Sequence, residues 1–548
     1  MLLSNPIKYL RMKNTLLTPL LAFLLCLLFP LQAKPTLQSE STAPDALPGD
    51  GILRFYRLAI PVTRSAYEQD LDGDYNKVKN FWQECEDYIN NIYVPLGLCF
   101  QVVLDERLCD LANLPINPYN GLPEIGNATA LINAVIDAEA YDVGLWVMHR
   151  SAFEENSGLS ALGGAYNAHQ KGNGYAKTDK WVVAHEVGHL FGAVHTPQGE
   201  GSLMDNLGTF FSYPSIKTIR HDVKGTVAYR NIRVTNNAPQ FDATKMHASY
   251  RIPRGACLSI NVQARDTEQH ELLYAAMGCN STNVDRVQDG TSPNGLLPDF
   301  GAIAPQASNV IHYAPVYTAD LYGDYYFLKE GTDIPNLAAG TYDLSILVND
   351  IPATPWTYTA LQEAPFYPTY AIWEAQIEIV EGTPFCASLT PAKTAYEAGE
   401  AITVTWGINE NYFTPGSRVR ILLSSDYGKT FQHVLAEDVP ALDGHCQVTL
   451  PNLNIGQVDV DFTTAVRSMN GGIIKVEETH GAAFTLTSLD PNVNNSFTIT
   501  GANNETSIQQ SPTLRPATAP TIYDLQGRPA SQQGKGIHIV NGKKQVFK

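Results

Sequence analysis

The chain has 548 residues, too many for one hydrophobic core, and three or four folded units are expected. Its apolar fraction of 44% and charged fraction of 17% are those of a folded, water-soluble protein, not of a disordered one. With 37 basic against 55 acidic side chains the formal net charge is -18, which repels a phosphate backbone and argues against nucleic acid as a partner.

The first element in chain order is an export signal, residues 1–33. Lys13 precedes an apolar run from Leu16 to Leu31, and Ala33 supplies a small residue for cleavage. Pro19 and Pro30 shorten the run below what a membrane span needs, so no transmembrane anchor is expected after cleavage. Removing Cys26 with the signal leaves Cys85, Cys99, Cys109, Cys257, Cys279, Cys386 and Cys446, an odd number. Cys257 with Cys279 and Cys386 with Cys446 are candidate disulfides, since each couple falls within one expected domain. Residues 34–50 are rich in Pro and Ser and read as a flexible leader.

From Ile52 strands and helices alternate. "ILRFYRLAIPVT" reads as a strand. "YNKVKNFWQECEDYINNIYVPLG" spaces Val78, Phe81, Trp82, Cys85, Tyr88, Ile89 and Ile92 as a helix. "LCFQVVLD" is a second strand, "ATALINAVIDAEAY" a helix, and "DVGLWVMHR" a third strand apolar enough to be buried on both faces. This alternation predicts an α/β or α+β domain over residues 51–245.

The chemistry concentrates in "HEVGHLFGAVH". His185 and His189, four residues apart, project from one helix face one turn apart, as two corners of a tetrahedral zinc site require. Glu186 is displaced from that pair and is placed to act as a general base on water at the open side of the metal. A continuing helix would point His195 away. Gly192 permits a positive-φ turn that returns His195 as the third ligand. A match to HExxHxxGxxH arises by chance in a chain of this composition with a probability on the order of 10⁻⁵.

These residues resemble the zinc signature of the metzincin metallopeptidases. The resemblance implies one catalytic Zn2+, a floor beneath it from Met204 in "GSLMDN", and hydrolysis of peptide bonds in proteins. Upstream, "FYRLAIPVTRSAYE", "NNIYVPLGLCFQVV", "YDVGLWVMHRS" and "LSALGGAYNAHQKGNGYAKTD" are similar to the reprolysin-like (adamalysin-type) bacterial branch, over about residues 52–225. That implies a two-lobed domain whose edge strand, expected near "GGAYNAH", pairs with an extended substrate. Some relatives place a tyrosine two residues after the methionine; here Asn206 stands there, so no such role is carried over, and Tyr213 is not assigned it either. Weaker signals are "DLDGDYN" from Asp70 to Asn76, where a Ca2+ loop is less favoured than a solvated turn, and the lone histidines His149 and His169.

Beyond residue 245, short alternating runs between Gly, Pro, Asn and Asp replace the helical periodicity. They predict two β-sandwiches, 246–383 and 384–489, then a linker at 490–520 and a small C-terminal β module at 521–548. The segment around "LSSDYGKTF" resembles an Ig-like sandwich that follows reprolysin-like domains. "TIYDLQGRPASQQGKGIHIVNGKKQVFK" is similar to C-terminal modules read by the type IX secretion system, which implies export through the periplasm and a secreted or cell-surface protein. The expected function is a secreted zinc metalloendopeptidase acting on protein or peptide substrates. The alternative is a non-catalytic surface adhesin on a vestigial peptidase scaffold.

Overall fold

The computed structural model describes residues 50–149, 157–196, 202–206, 208–226, 228–278, 302–313, 334–352, 356–462, 465–487 and 496–502. It also describes positions 46–47, 151, 300, 317–319, 325–327, 522–523, 536–540 and 543–547. The expected signal at 1–33, most of the leader and of the linker, and Cys279 lie outside these residues.

The first half is built on one twisted sheet. Ile52–Ala59 runs parallel to Leu98–Val102 on one side and to Val143–Gly144 on the other. The amide N–H groups of Leu145 and Val147 donate to the carbonyls of Ala59 and Pro61, extending this ladder along Trp146–Met148. Gly174–Lys177 follows in parallel, and Gly158–Ser160 closes the sheet as an antiparallel edge. "DVGLWVMHR" is therefore broken at Leu145 into two short strands, and all of 143–148 is buried, as its apolar run requires.

Helix Tyr75–Tyr93 starts where the Asp74 carboxylate accepts from the Asn76 N–H, and buries Val78, Trp82, Cys85, Ile89 and Ile92 against the sheet. "ATALINAVIDAEAY" forms two pieces, an α-helix Ala128–Asn133 and a 3₁₀ turn Ala138–Ala140. The break is local chemistry: the Asp137 side chain accepts from the Glu139 N–H and caps a new turn.

In the second half, Ala46–Leu47, Tyr370–Val380, Gly340–Ile351, Glu271–Met277 and Ile303–Gln306 form one sheet, with Ser249–Pro253 parallel to Tyr370–Val380. A six-stranded sheet runs in the order Val310–Tyr313, Cys257–Asn261, Ala483–Leu486, Ile473–Glu478, Arg418–Ser424, His433–Pro440. Cys257–Asn261 thus pairs with Ala483–Leu486, so segments on either side of residue 384 share a sheet and one hydrophobic core. Alternation reveals strands but not their partners.

Three sequence expectations need correction. Cys386 and Cys446 are not bonded: Ala401–Trp406 lies between Ala387–Thr390, which Cys386 immediately precedes, and His445–Thr449, which holds Cys446, two strand spacings of about 4.8 Å each and beyond disulfide reach. Thr498–Thr500, inside the expected linker, is a strand parallel to Ala395–Glu397, anchored by buried Phe497 and Ile499. Ala46–Leu47, inside the expected leader, pairs with residues 370–371. At the C-terminus, Ile522–Tyr523, Gly536–Val540 and Lys543–Phe547 make a three-stranded antiparallel unit. Among the described residues, no helix is long and apolar enough to cross a membrane.

The halves meet where Leu53, Phe55, Val94 and Cys99 pack with Leu361 and Tyr367. Asn90 joins helix to sheet within the first half: its Oδ1 accepts from the Phe100 N–H at 2.7 Å and its Nδ2 donates to the Phe100 carbonyl at 2.9 Å. Asn90→Ala leaves two buried backbone groups without partners and should cost roughly 2–4 kcal/mol, whereas exposed Gln83→Ala should cost under about 0.5 kcal/mol. The urea midpoint of the first half checks this.

Candidate metal centre

The helix carrying the histidines, Lys180–Leu190, begins at Asp179, whose carboxylate accepts from the Trp181 N–H. It is buried on nearly every side, including Val182, Val183, Ala184, Val187 and Leu190. Its end is a Schellman turn. The Ala193 N–H reaches the Gly188 carbonyl, the Gly192 N–H reaches the His189 carbonyl, and Gly192 adopts φ 89°. The Tyr166 hydroxyl donates to the Phe191 carbonyl at 2.5 Å and ties down the same end. The chain then reverses and brings His195 back across the helix.

The three imidazoles meet. His195 Nε2 lies 3.1 Å from His185 Nε2 and 3.2 Å from His189 Nε2. The other nitrogens face carbonyl oxygens: His185 Nδ1 is 2.8 Å from the Leu203 oxygen and His189 Nδ1 is 2.7 Å from the Ala193 oxygen. A carbonyl only accepts, so each Nδ1 carries the hydrogen and each Nε2 presents a lone pair. With His195 Nε2 also unprotonated, three lone pairs would face one another and repel unless a cation lay between them. Zinc–nitrogen bonds near 2.1 Å would set tetrahedral corners about 3.4 Å apart, close to the observed spacing. Among the described residues these three imidazoles form one of two clusters able to hold a metal ion. Burial lowers the pKa of His185 and draws that of His189 down to about 4, which keeps both in the neutral form a ligand needs.

Glu186 is buried at 4% exposure, and its Oε2 has no hydrogen-bond partner. Burial pushes its carboxyl up to about 8; Ser160 faces it and opposes that rise without a hydrogen bond of normal geometry. A cation among the imidazoles would draw it down again. The strand Gly158–Ser160 runs directly over this carboxylate. A Cβ at Gly158 would lie 2.5 Å from Glu186 Oε1, so only glycine permits the approach. This strand, not "GGAYNAH", is the sheet edge: Gly164–Tyr166 is a 3₁₀ turn after Gly163 at φ 71°.

Met204 is fully buried under the helix, and a Cβ at Gly188 would meet its Sδ at 2.8 Å. The Thr196 N–H donates to the Met204 carbonyl at 3.2 Å, fastening the segment after His195 to the methionine turn. Sequence reasoning passed over Gly158 and Gly188; their signal was a glycine inside a strand and a helix, where it ordinarily weakens both.

Other sequence candidates lie apart from the imidazoles. Tyr213 is buried in the core beside Met277, and the Asn206 side chain lies outside the described residues. His149 Nε2 sits 3.3 Å from Asp70 Oδ1, and His169 is exposed at a turn. The carboxylates of "DLDGDYN" have protein partners: Asp74 caps a helix, Asp72 pairs with Lys77, and Asp70 accepts from the Thr178 hydroxyl at 2.5 Å.

Gly192→Ala puts a side chain where φ is 89°, a strain of about 1–2 kcal/mol that falls on the geometry returning His195. Zinc affinity should drop roughly tenfold. Competition with a chromophoric chelator measures it, and an unchanged affinity would refute the role given to this turn.

Residues 83–196 match the family model described as "Metallo-peptidase family M12B Reprolysin-like". No curated protein matches the chain. Among solved structures it is similar to the N-terminal four Ig domains of Dscam1 isoform 6.9, at 10% identity, 46% of this chain, 45% of that chain and a TM-score of 0.13. For the tandem Ig repeats of Dlar the values are 10%, 45%, 95% and 0.20. For Drosophila N-cadherin EC1-4 they are 12%, 47%, 50% and 0.15. The chain spans under half the length of the Dscam1 fragment, and no argument rests on TM-scores this low. Over residues 83–196 the chain is similar to the zinc-dependent, reprolysin-like metallopeptidases of family M12B, and His185, His189 and His195 all lie inside that segment.

Proposed function

We propose that the protein is a secreted zinc endopeptidase that hydrolyses internal peptide bonds of protein substrates. One observation carries this: three imidazole Nε2 atoms converge, those of His185 and His189 with their lone pairs inward, beside a buried carboxylate that has an unpartnered oxygen. His185, His189 and His195 would hold the ion. Zinc bound there supplies a Lewis acid and lowers the pKa of an attacking water toward about 7.

The remaining steps belong to the chain. Glu186 Oε2 accepts the proton as water attacks the scissile carbonyl, and the same carboxyl then returns it to the leaving amine. The helix and the strand over it exclude solvent from Glu186, which raises its basicity against the fall that a bound cation brings. Among the described residues, Gly158–Ser160 has no neighbour strand on one side, and an extended peptide pairing there would pass the carboxylate. Met204 supports the imidazoles from below and does no chemistry.

The signal-like N-terminus and the C-terminal unit support export through the periplasm to the medium or the cell surface. The adhesin alternative gains nothing from this geometry, since a vestigial scaffold has no need of a complete set of three imidazoles and a carboxylate.

Casein cleavage by the purified chain, with and without a chelator, tests the proposal. Glu186→Gln should lower turnover by about 10²–10⁴-fold while bound zinc stays unchanged. Gly158→Val should also lower turnover, because its side chain displaces the carboxylate, again with zinc retained. Undiminished cleavage by Glu186→Gln would overturn the assignment.

A further inference from the structure

A second cluster of metal-ligating side chains lies far from the imidazoles: Asp266, His270 and Asp350. Asp266 and His270 flank the turn that leads into Glu271–Met277, and Asp350 stands opposite Leu272 on the neighbouring strand. Asp266 Oδ1 is 3.2 Å from His270 Nδ1, and Asp350 Oδ2 is 3.9 Å from the same nitrogen. Both aspartate side chains are fully buried, at 0% exposure.

Asp350 is held from outside the cluster. Its Oδ1 accepts from the Thr369 N–H at 2.7 Å, and its Oδ2 from the Thr369 hydroxyl at 2.9 Å and from Asn236 Nδ2 at 2.5 Å. Asp266 Oδ1 accepts from the His270 backbone N–H at 2.9 Å, but other atoms of the cluster are not satisfied. His270 Nδ1 and Asp266 Oδ2 are buried and make no hydrogen bond, and Asn236 Oδ1 has none either. Among the described residues, neither carboxylate forms an ion pair with a lysine or an arginine.

The ordinary explanation is an imidazolium ion pair. It would place a hydrogen on His270 Nδ1 pointing at Asp266, yet that contact lacks hydrogen-bond geometry. It would also leave one of the two fully buried carboxylates uncompensated, which is expensive even beside an imidazole that is 29% exposed. A buried water could donate two hydrogens but brings no charge. A divalent cation answers both deficits, and an imidazole nitrogen among the donors selects zinc-like ions over calcium or magnesium.

We propose that Asp266, His270 and Asp350 bind a second, structural divalent ion of the zinc class, with Asn236 and Thr369 orienting Asp350. The site sits at the joint between the halves. Asn236 follows Arg230–Arg233, which pairs with 52–55 of the first half, and its Nδ2 also donates to the carbonyl of Tyr367, a residue of the interface core. The ion would fasten the β region to the peptidase-like region.

This inference does not depend on catalysis. The full-length parent and a His189→Ala/His195→Ala variant are dialysed against zinc chloride, desalted, and counted for metal by mass spectrometry. Two zinc equivalents are expected in the parent and one in the variant. Adding Asp266→Asn and His270→Ala should reduce one to none. The variant lacking only the two imidazoles leaves the new cluster untouched, so its count is decisive even where the further changes prevent folding. No zinc in that variant, calcium in place of zinc, or zinc retained after Asp266 and His270 are replaced would each overturn the proposal.

Discussion

Two backbone carbonyls, those of Leu203 and Ala193, decide which nitrogen of His185 and His189 carries a hydrogen. With each Nδ1 committed as a donor, the Nε2 of His185 and of His189 is left as a lone pair, and the turn at Gly192 brings His195 Nε2 to within 3.1 Å of the first. The chain thereby builds a place where imidazole nitrogens converge, as a shared cation requires. Much of the first half serves this convergence. Asp179 starts the helix, the Schellman turn ends it, and Gly188 lets Met204 close beneath it. The carbonyl of Leu203, the neighbour of Met204, also binds His185, so the methionine turn both supports and orients the ligands.

A convergence of electron-pair donors also occurs at Asp266, His270 and Asp350, in a different setting. The imidazole cluster lies beside the edge strand Gly158–Ser160. The aspartate cluster sets two fully buried carboxylates against an imidazole that is 29% exposed, and lies at the joint between the halves, held by Thr369 and Asn236.

Local chemistry was legible from the sequence; long-range pairing was not. His185, Glu186, His189, Gly192 and His195 fall within eleven residues, and helix geometry with one left-handed turn is enough to place them. Met204 was within reach because it follows closely. Gly158 escaped notice because its meaning depends on Glu186, 28 positions away and across a sheet. The shared sheet across residue 384, the strand at Thr498–Thr500 and the separation of Cys386 from Cys446 depend on which strands are neighbours, and period-two alternation carries no such information. Asp266, His270 and Asp350 are spread over 84 residues and form no motif at all.

We propose that His185, His189 and His195 bind zinc through Nε2, with the Nδ1 of His185 and of His189 hydrogen-bonded to carbonyls. X-ray absorption at the zinc edge, on full-length protein carrying Asp266→Asn and His270→Ala so that one site contributes, measures this directly. The account predicts three imidazole nitrogens at about 2.0–2.1 Å with a light-atom ligand completing the shell. A shell containing sulfur, or one with fewer than three imidazoles, would contradict it.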